Sequence, residues 1–270
     1  MAKVQGIPQT NTVEEKAADK LEHRLTGWPQ APHSMNAAPL ASKPVIRLVC
    51  ATRHDRAAFF TQSLLGQSLK ALHRMQRVEI CLFANNTQGL SQVYNRVIEQ
   101  AAENPALLVF VHDDVLLSDF FWAERLRAGL HQFDVIGLAG NRRRVPRQPG
   151  WAFVNEQLAW DQKANLSGVI GHGKSFPPGN LSLYGPPGVA VKLLDGVLLA
   201  TYSQTLHRCG LRFDERFTFH FYDMDFCRTA EILNLRLGTW PLSVVHASGG
   251  NYKSAAWNEG YTRYLDKWKS

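Results

Sequence analysis

The chain is predicted to fold as an α/β domain, with a mostly parallel central sheet flanked by helices. Three observations carry this. Apolar strand-like runs alternate with helical periodicities from Val45 to Val111, an order that implies right-handed crossovers and parallel pairing. The run LLVFV at 107–111 is apolar throughout, the signature of a strand buried on both faces. Polar clusters at 53–56, 85–88 and 112–114 fall at the carboxyl ends of three successive strands, where ligands of such sheets bind.

The elements follow in order. Residues 1–43 lack a core pattern and are read as an N-terminal extension. Within it, Val13 to Leu25 has the spacing of a short amphipathic helix, as a docking segment or a loosely held tail, before Pro29, Pro32, Pro39 and Pro44 interrupt. VIRLVCAT from Val45 is the first strand, with Arg53-His54-Asp55-Arg56 as its polar exit and a helix from Ala57 to Leu72. Val78–Ala84 is the second strand, Asn85 to Gly89 a turn, and Ser91 to about Ala102 a helix with Val93, Val97 and Ala101 on one face. After the strand at 107–111, Phe120–Phe133 is read as a helix and Val135–Ala139 as a strand.

Arg142, Arg143, Arg144 and Arg147 then form a basic loop, either a phosphate clamp or a solvated surface. Residues 145–188, rich in Gly and Pro and carrying Trp151, Trp160, His172 and Tyr184, are read as a long loop with a few short strands, where substrate contacts reside. Val189–Tyr202 is apolar around Asp195-Gly196, where glycine permits a bend or a close backbone approach. A helix starts near Asp223, placing Asp223 and Asp225 in its first turn, and Asn234 is a left-handed stop. LRLGTW and LSVVHASGG are strand-like, the second carrying His246, and 251–270 is a C-terminal helical tail.

Composition sets limits. A chain of 270 residues, 45% hydrophobic and 20% charged, buries a full core. It has no apolar stretch of transmembrane length and no signal-peptide core at its start, so a cytoplasmic protein is expected, with the inner membrane face as the alternative. The four cysteines form no C-x-x-C pair and are read as reduced thiols. A formal charge of +7 suits an anionic ligand, an acidic membrane surface or nucleic acid without choosing among them.

The chemistry concentrates in VHDDV (111–115). A buried strand ending in His112-Asp113-Asp114 must offset the desolvation of these groups. A divalent cation does so, and a polar turn capping the next helix is the plainer alternative. Together with DGVLLATY…FDERFTFHFYDMDFCRTAEILNLRL (195–237) and VVHASGG (244–250), this segment resembles the inverting family-2-type glycosyltransferases of GT-A fold, and most closely the subgroup whose acidic motif begins with histidine. The resemblance spans roughly residues 44–250 and implies a GT-A domain there.

Position by position, it implies Asp114 and His246 as metal ligands, Mn²⁺ as the cofactor with Mg²⁺ as the alternative, and Asp223 as catalytic base. It implies Arg53, Asn85, Asn86, His112 and Asp113 around the nucleotide-sugar donor, and Trp151, Asp195 and Tyr222 around the acceptor. His112 replaces the family's usual ribose-contacting Asp, Asn85 and Asn86 replace its base-contacting Asp, and Tyr222 replaces the Glu of its Glu-Asp pair. The expected function is transfer of a sugar from a nucleotide-sugar donor, a uridine diphosphate sugar first, to a hydroxyl on a glycan, lipid-linked glycan or protein. Peripheral membrane contact is an accompanying expectation and nucleic acid is not an expected partner. An inactive nucleotide-sugar-binding scaffold and a basic nucleic-acid-binding protein are the alternatives, the latter without a recognisable motif.

Overall fold

A computed structural model describes residues 44–72 and 78–269. The helix expected at 13–25 lies outside them. In chain order the elements are β1 (Val45–Ala51), α1 (Arg56–Gln62), α2 (Leu64–Leu72), β2 (Val78–Phe83), α3 (Leu90–Gln100), β3 (Ala106–Val111), β4 (Val115–Leu117), α4 (Trp122–Gln132), β5 (Val135–Gly137), β6 (Ala139–Asn141), β7 (Leu166–His172), β8 (Asn180–Gly185), β9 (Ala190–Val191), β10 (Leu193–Leu194), β11 (Leu198–Tyr202), α5 (Ser203–Cys209), α6 (Tyr222–Ile232), β12 (Leu237–Thr239), β13 (Val244–His246) and α7 (Ala255–Trp268).

The fold is α/β, as expected. Among the described residues the main sheet has seven strands in the order β2-β1-β3-β11-β5-β12-β9. Neighbours β2-β1-β3 and β5-β12 are parallel, while β11 and β9 run antiparallel to their partners. Every residue of β3 is buried, so the apolar run at 107–111 is an interior strand of the sheet, flanked by β1 and β11. A second sheet, β10-β6-β7-β13-β4 with β8 beside β7, includes β4, which follows β3 directly after the turn at 112–114.

Several runs that read as single elements are broken. The helix expected over 57–72 divides at Ser63, whose extended backbone ends α1. Its hydroxyl donates to Phe59 O and accepts from Gly66 N, competing with the helical ladder. The strand expected over 135–139 divides at Leu138, because β5 belongs to the main sheet and β6 to the second. The run 189–202 is cut into β9, β10 and β11 for the same reason. Asn234 is left-handed, as the sequence indicates. All four cysteines are free, with Cys50 and Cys227 buried. No helix among the described residues is long and apolar enough to cross a membrane.

Helix α7 packs its aromatic face onto the site-bearing helix. Phe221 stacks with Tyr261 and Tyr264, and Trp268 Nε1 donates to the buried Asp225, which also pairs with Lys267.

Candidate active site

The turn between β3 and β4 is fixed from three sides. His112 N donates to Val197 O, Leu65 N donates to Asp113 O, and Ala247 N donates to Asp114 O. Asp113 Oδ2 accepts from Thr52 Oγ1 at 2.6 Å, tying the turn to the end of β1. Antiparallel pairing of β4 with β13 sets His246 opposite Val115 and therefore beside Asp114. His246 Nε2 lies 3.3 Å from Asp114 Oδ1, and one ligand atom each from His112, Asp114 and His246 lie within 4.8 Å of one another.

The protonation states suit a cation. Burial lowers the His112 pKa and keeps the ring neutral. Although burial opposes ionisation of Asp114, its hydrogen bond to His246 holds the carboxyl well below the usual carboxylate range. Burial likewise opposes charge on His246, but the Asp114 hydrogen bond outweighs it and raises that pKa. Such a pair shares a proton that a metal displaces. Two imidazoles and a carboxylate, all half-buried and convergent, form a donor set that fits a divalent ion.

Tyr222 joins this group to a second acidic centre. Its hydroxyl donates to Gly196 O at 2.7 Å and lies 2.9 Å from His112 Nε2. One phenolic hydrogen serves one acceptor, so both contacts are satisfied only when His112 Nε2–H donates to the phenol oxygen. The His112 Nδ1 lone pair then stays free.

Asp223 follows in the first turn of α6. Asp223 does not cap the helix: the N-cap is Phe221, in left-handed backbone and without a side-chain cap bond. Asp223 Oδ2 instead accepts from Gly196 N at 3.0 Å and Oδ1 from Met224 N at 2.8 Å. Burial, then the neighbouring charge of Asp195, pushes its pKa up to about 7. Asp195 is itself held: Oδ2 accepts from Trp151 Nε1 at 2.8 Å and Oδ1 from Val197 N at 2.9 Å. A Cβ at Gly196 would strike the Tyr222 hydroxyl and stand 3.0 Å from Asp223 Cβ, so the close approach here requires glycine.

Beside the acidic turn opens a cavity of about 1030 Å³. It is lined by Thr52, Arg53, His54, Asn85, Asn86, Gln88, Asp113 and Phe219, among others. Four donor-side residues named from the sequence, Arg53, Asn85, Asn86 and Asp113, thus share one wall system. The fifth, His112, stacks on Phe219 at 6.0 Å. The Asn86 amide closes its own turn, donating to Gln88 O and accepting from Gln88 N.

Other residues were less visible in the sequence. The basic loop is largely neutralised: Arg143 pairs with Asp161, Arg144 with Glu231 and Arg147 with Glu156. Trp151, Phe153, Trp160, Tyr184 and Tyr252 form an aromatic group on the Asp195 side. The concentration of the first four in the Gly/Pro-rich stretch 145–188 was the available signal, and Tyr252 lies outside it.

No family model matches the sequence, and no curated protein matches it. Among solved structures, the chain is similar to the mannosyltransferase PcManGT from Pyrobaculum calidifontis in complex with GDP-Man and Mn²⁺, with 14% identity, TM-score 0.44, 93% of this chain and 70% of that one covered. It is similar to S. aureus TarS 1–349, with 12% identity, TM-score 0.42 and coverage of 75% and 60%. It is also similar to GalNAc-T7 with UDP, GalNAc and Mn²⁺, with 12% identity, TM-score 0.48 and coverage of 84% and 48%. The chain thus spans 48% to 70% of the length of these three.

Proposed function

We propose that the chain is an inverting, metal-dependent glycosyltransferase of the GT-A type, using a nucleotide-sugar donor and a hydroxyl acceptor. One observation carries the proposal. A His-Asp-His group and a buried carboxylate of raised proton affinity meet across Tyr222 and Gly196, beside a cavity of nucleotide size.

Each group then has a task. His112, Asp114 and His246 would hold a divalent cation, which when bound would supply positive charge to offset that developing on a departing diphosphate. Two nitrogen donors favour Mn²⁺ over Mg²⁺, which prefers an all-oxygen shell. Arg53, Asn85, Asn86 and Asp113 line the donor cavity, with a uridine diphosphate sugar the first candidate. Asp223 takes the proton of the acceptor hydroxyl as its oxygen bonds to the anomeric carbon and the bond to the diphosphate breaks on the opposite face. Asp195, locked by Trp151, raises the proton affinity of that base and orients the acceptor hydroxyl. Tyr222, buried with its hydroxyl committed, shapes this side from behind.

The acceptor class on this reading is a glycan, free, lipid-linked or on protein, reached from the cytoplasmic side. A scaffold that binds the donor without turnover is the second reading, favoured by the phenol standing where the family pattern has a second carboxylate. Incubation with a panel of nucleotide sugars, UDP- and GDP-linked first, with Mn²⁺ and with chelator decides between them. Mn²⁺-dependent release of nucleoside diphosphate is expected, and binding without release would establish the scaffold.

A further inference from the structure

We propose that Trp160, mounted on Tyr184, is a stacking platform for a sugar ring of the acceptor, one or more units away from the reacting hydroxyl. This rests on the transferase reading and deepens it by making the acceptor an oligosaccharide.

Trp160 is a large apolar side chain left 57% exposed, yet it is not loosely placed. Its ring lies nearly parallel to Tyr184, 19° and 5.9 Å between centroids, and Phe153 packs edge-on at 5.1 Å. The backbone beneath it is closed by the Phe153–Trp160 bridge and by Val154 N donating to Ala159 O. The next residue, Asp161, is buried and accepts from Arg143, Asn141 and Asn165 side chains. An indole held this firmly while open to solvent has lost its conformational freedom before a ligand arrives, which favours binding.

A chain of contacts connects the platform to the chemistry. Tyr184 meets Trp151 edge-on at 4.9 Å, and Trp151 Nε1 donates to Asp195. Tyr252, edge-on to Phe153 at 5.1 Å, adds a further wall. Burial and then the charges of Asp195 and Asp223 raise the pKa of its phenol and keep it protonated. Aromatic surface therefore runs outward from the two carboxylates to Trp160. A pyranose presents an apolar C–H face and a polar rim. It matches an open aromatic face by dispersion and weak C–H···π contact while its hydroxyls stay hydrated.

The test uses the full chain, with and without UDP and Mn²⁺, titrated calorimetrically with cellotetraose, mannotetraose and chitotetraose. At least one should bind. Trp160→Ala should weaken that binding roughly tenfold, Trp160→Phe should retain most of it, and UDP–Mn²⁺ affinity should be unchanged in both. The proposal is overturned if none of the three saccharides binds, if Trp160→Ala binds as well as wild type, or if both variants lose binding equally. Failure of wild type to bind any nucleotide with Mn²⁺ would strike the transferase reading instead. The nucleotide-free titrations would still judge the platform.

Discussion

Replacing Asp223 with Asn separates chemistry from folding, and the structure sets the size of each effect. The carboxyl shifts from an ordinary 3.8 to about 7 in the folded chain because burial, reinforced by Asp195, disfavours its charge. A raised carboxylate pKa means folding is most favourable with the proton on. Stability is therefore full below about pH 4 and falls as pH rises through about 7. At about 1.4 kcal/mol per pH unit, the group should remove about 2 kcal/mol at pH 5 and about 4 at pH 8, a difference of roughly 2 kcal/mol. This is an upper bound, since Asp223 keeps part of its surface in water. Asn cannot ionise and should abolish the difference. It also sets an amide NH₂ against Gly196 N or Met224 N, a constant cost of about 1–3 kcal/mol at any pH. Urea unfolding of both proteins at pH 5 and pH 8 isolates the pH-dependent part of Asp223 together with its coupling to Asp195, because groups that do not interact with Asp223 cancel in the double difference. Wild type should lose roughly 2 kcal/mol relative to Asp223→Asn between the two pH values. Transfer should fall by about 10²–10⁴-fold with UDP–Mn²⁺ affinity nearly unchanged. A double difference near zero would refute the electrostatic argument, and undiminished transfer would move the base elsewhere.

Three further outcomes are expected. The log of kcat/KM should rise with unit slope below pH about 7 and level above it, as a base that must lose its proton requires; a profile flat from pH 5 to 8 contradicts this. Chelation should abolish donor turnover, Mn²⁺ should restore it better than Mg²⁺, and Asp114→Ala or His246→Ala should weaken Mn²⁺-dependent nucleotide binding; full activity in excess chelator removes the metal from the scheme. Gly196→Ala should disable transfer by displacing Tyr222 and Asp223 together while circular dichroism stays native, and wild-type kinetics would show that the close approach is not needed.

The parallel half of the fold was legible because β1, β2 and β3 are predominantly apolar strands, interrupted only by Arg47 and Glu79, and are separated by helices of clear period. The second sheet was not. Chain segments such as 135–141 pass from one sheet to the other through Leu138, and a bend between two buried environments leaves no polar residue to mark it. Ser63 breaks a helix by a hydroxyl contact that periodicity does not register. In the site, nothing in the spacing of Asp114 and His246 says that β4 pairs with β13. That adjacency came from resemblance alone. The arginine loop stayed ambiguous because its partners Asp161 and Glu231 lie in distant segments.

Two departures from the family pattern, read separately in the sequence, are one structural unit. His112 stands where an Asp is usual and Tyr222 where a Glu is usual, and their side chains meet at 2.9 Å. Tyr222 spends its only hydrogen on Gly196 O, so it takes one from His112 Nε2 and fixes the tautomer that leaves Nδ1 available. On the proposed reading, a neutral imidazole at the position of the pattern's ribose-contacting Asp joins the group that would hold the cation, and the phenol at the position of its Glu orients it. Partners of this kind typically tune metal affinity by about 10–100-fold. Tyr222→Phe retains the ring, which is 3% exposed and packs near Tyr94 and Phe213, so the fold should persist. It frees the His112 ring to adopt either tautomer and leaves Gly196 O without this donor. Mn²⁺ affinity, read by electron paramagnetic resonance of the free ion, should drop at least tenfold, while Tyr222→Phe and His112→Ala together should be no worse than His112→Ala alone. Additive losses in the double variant would show that Tyr222 acts on the cation by a route other than His112.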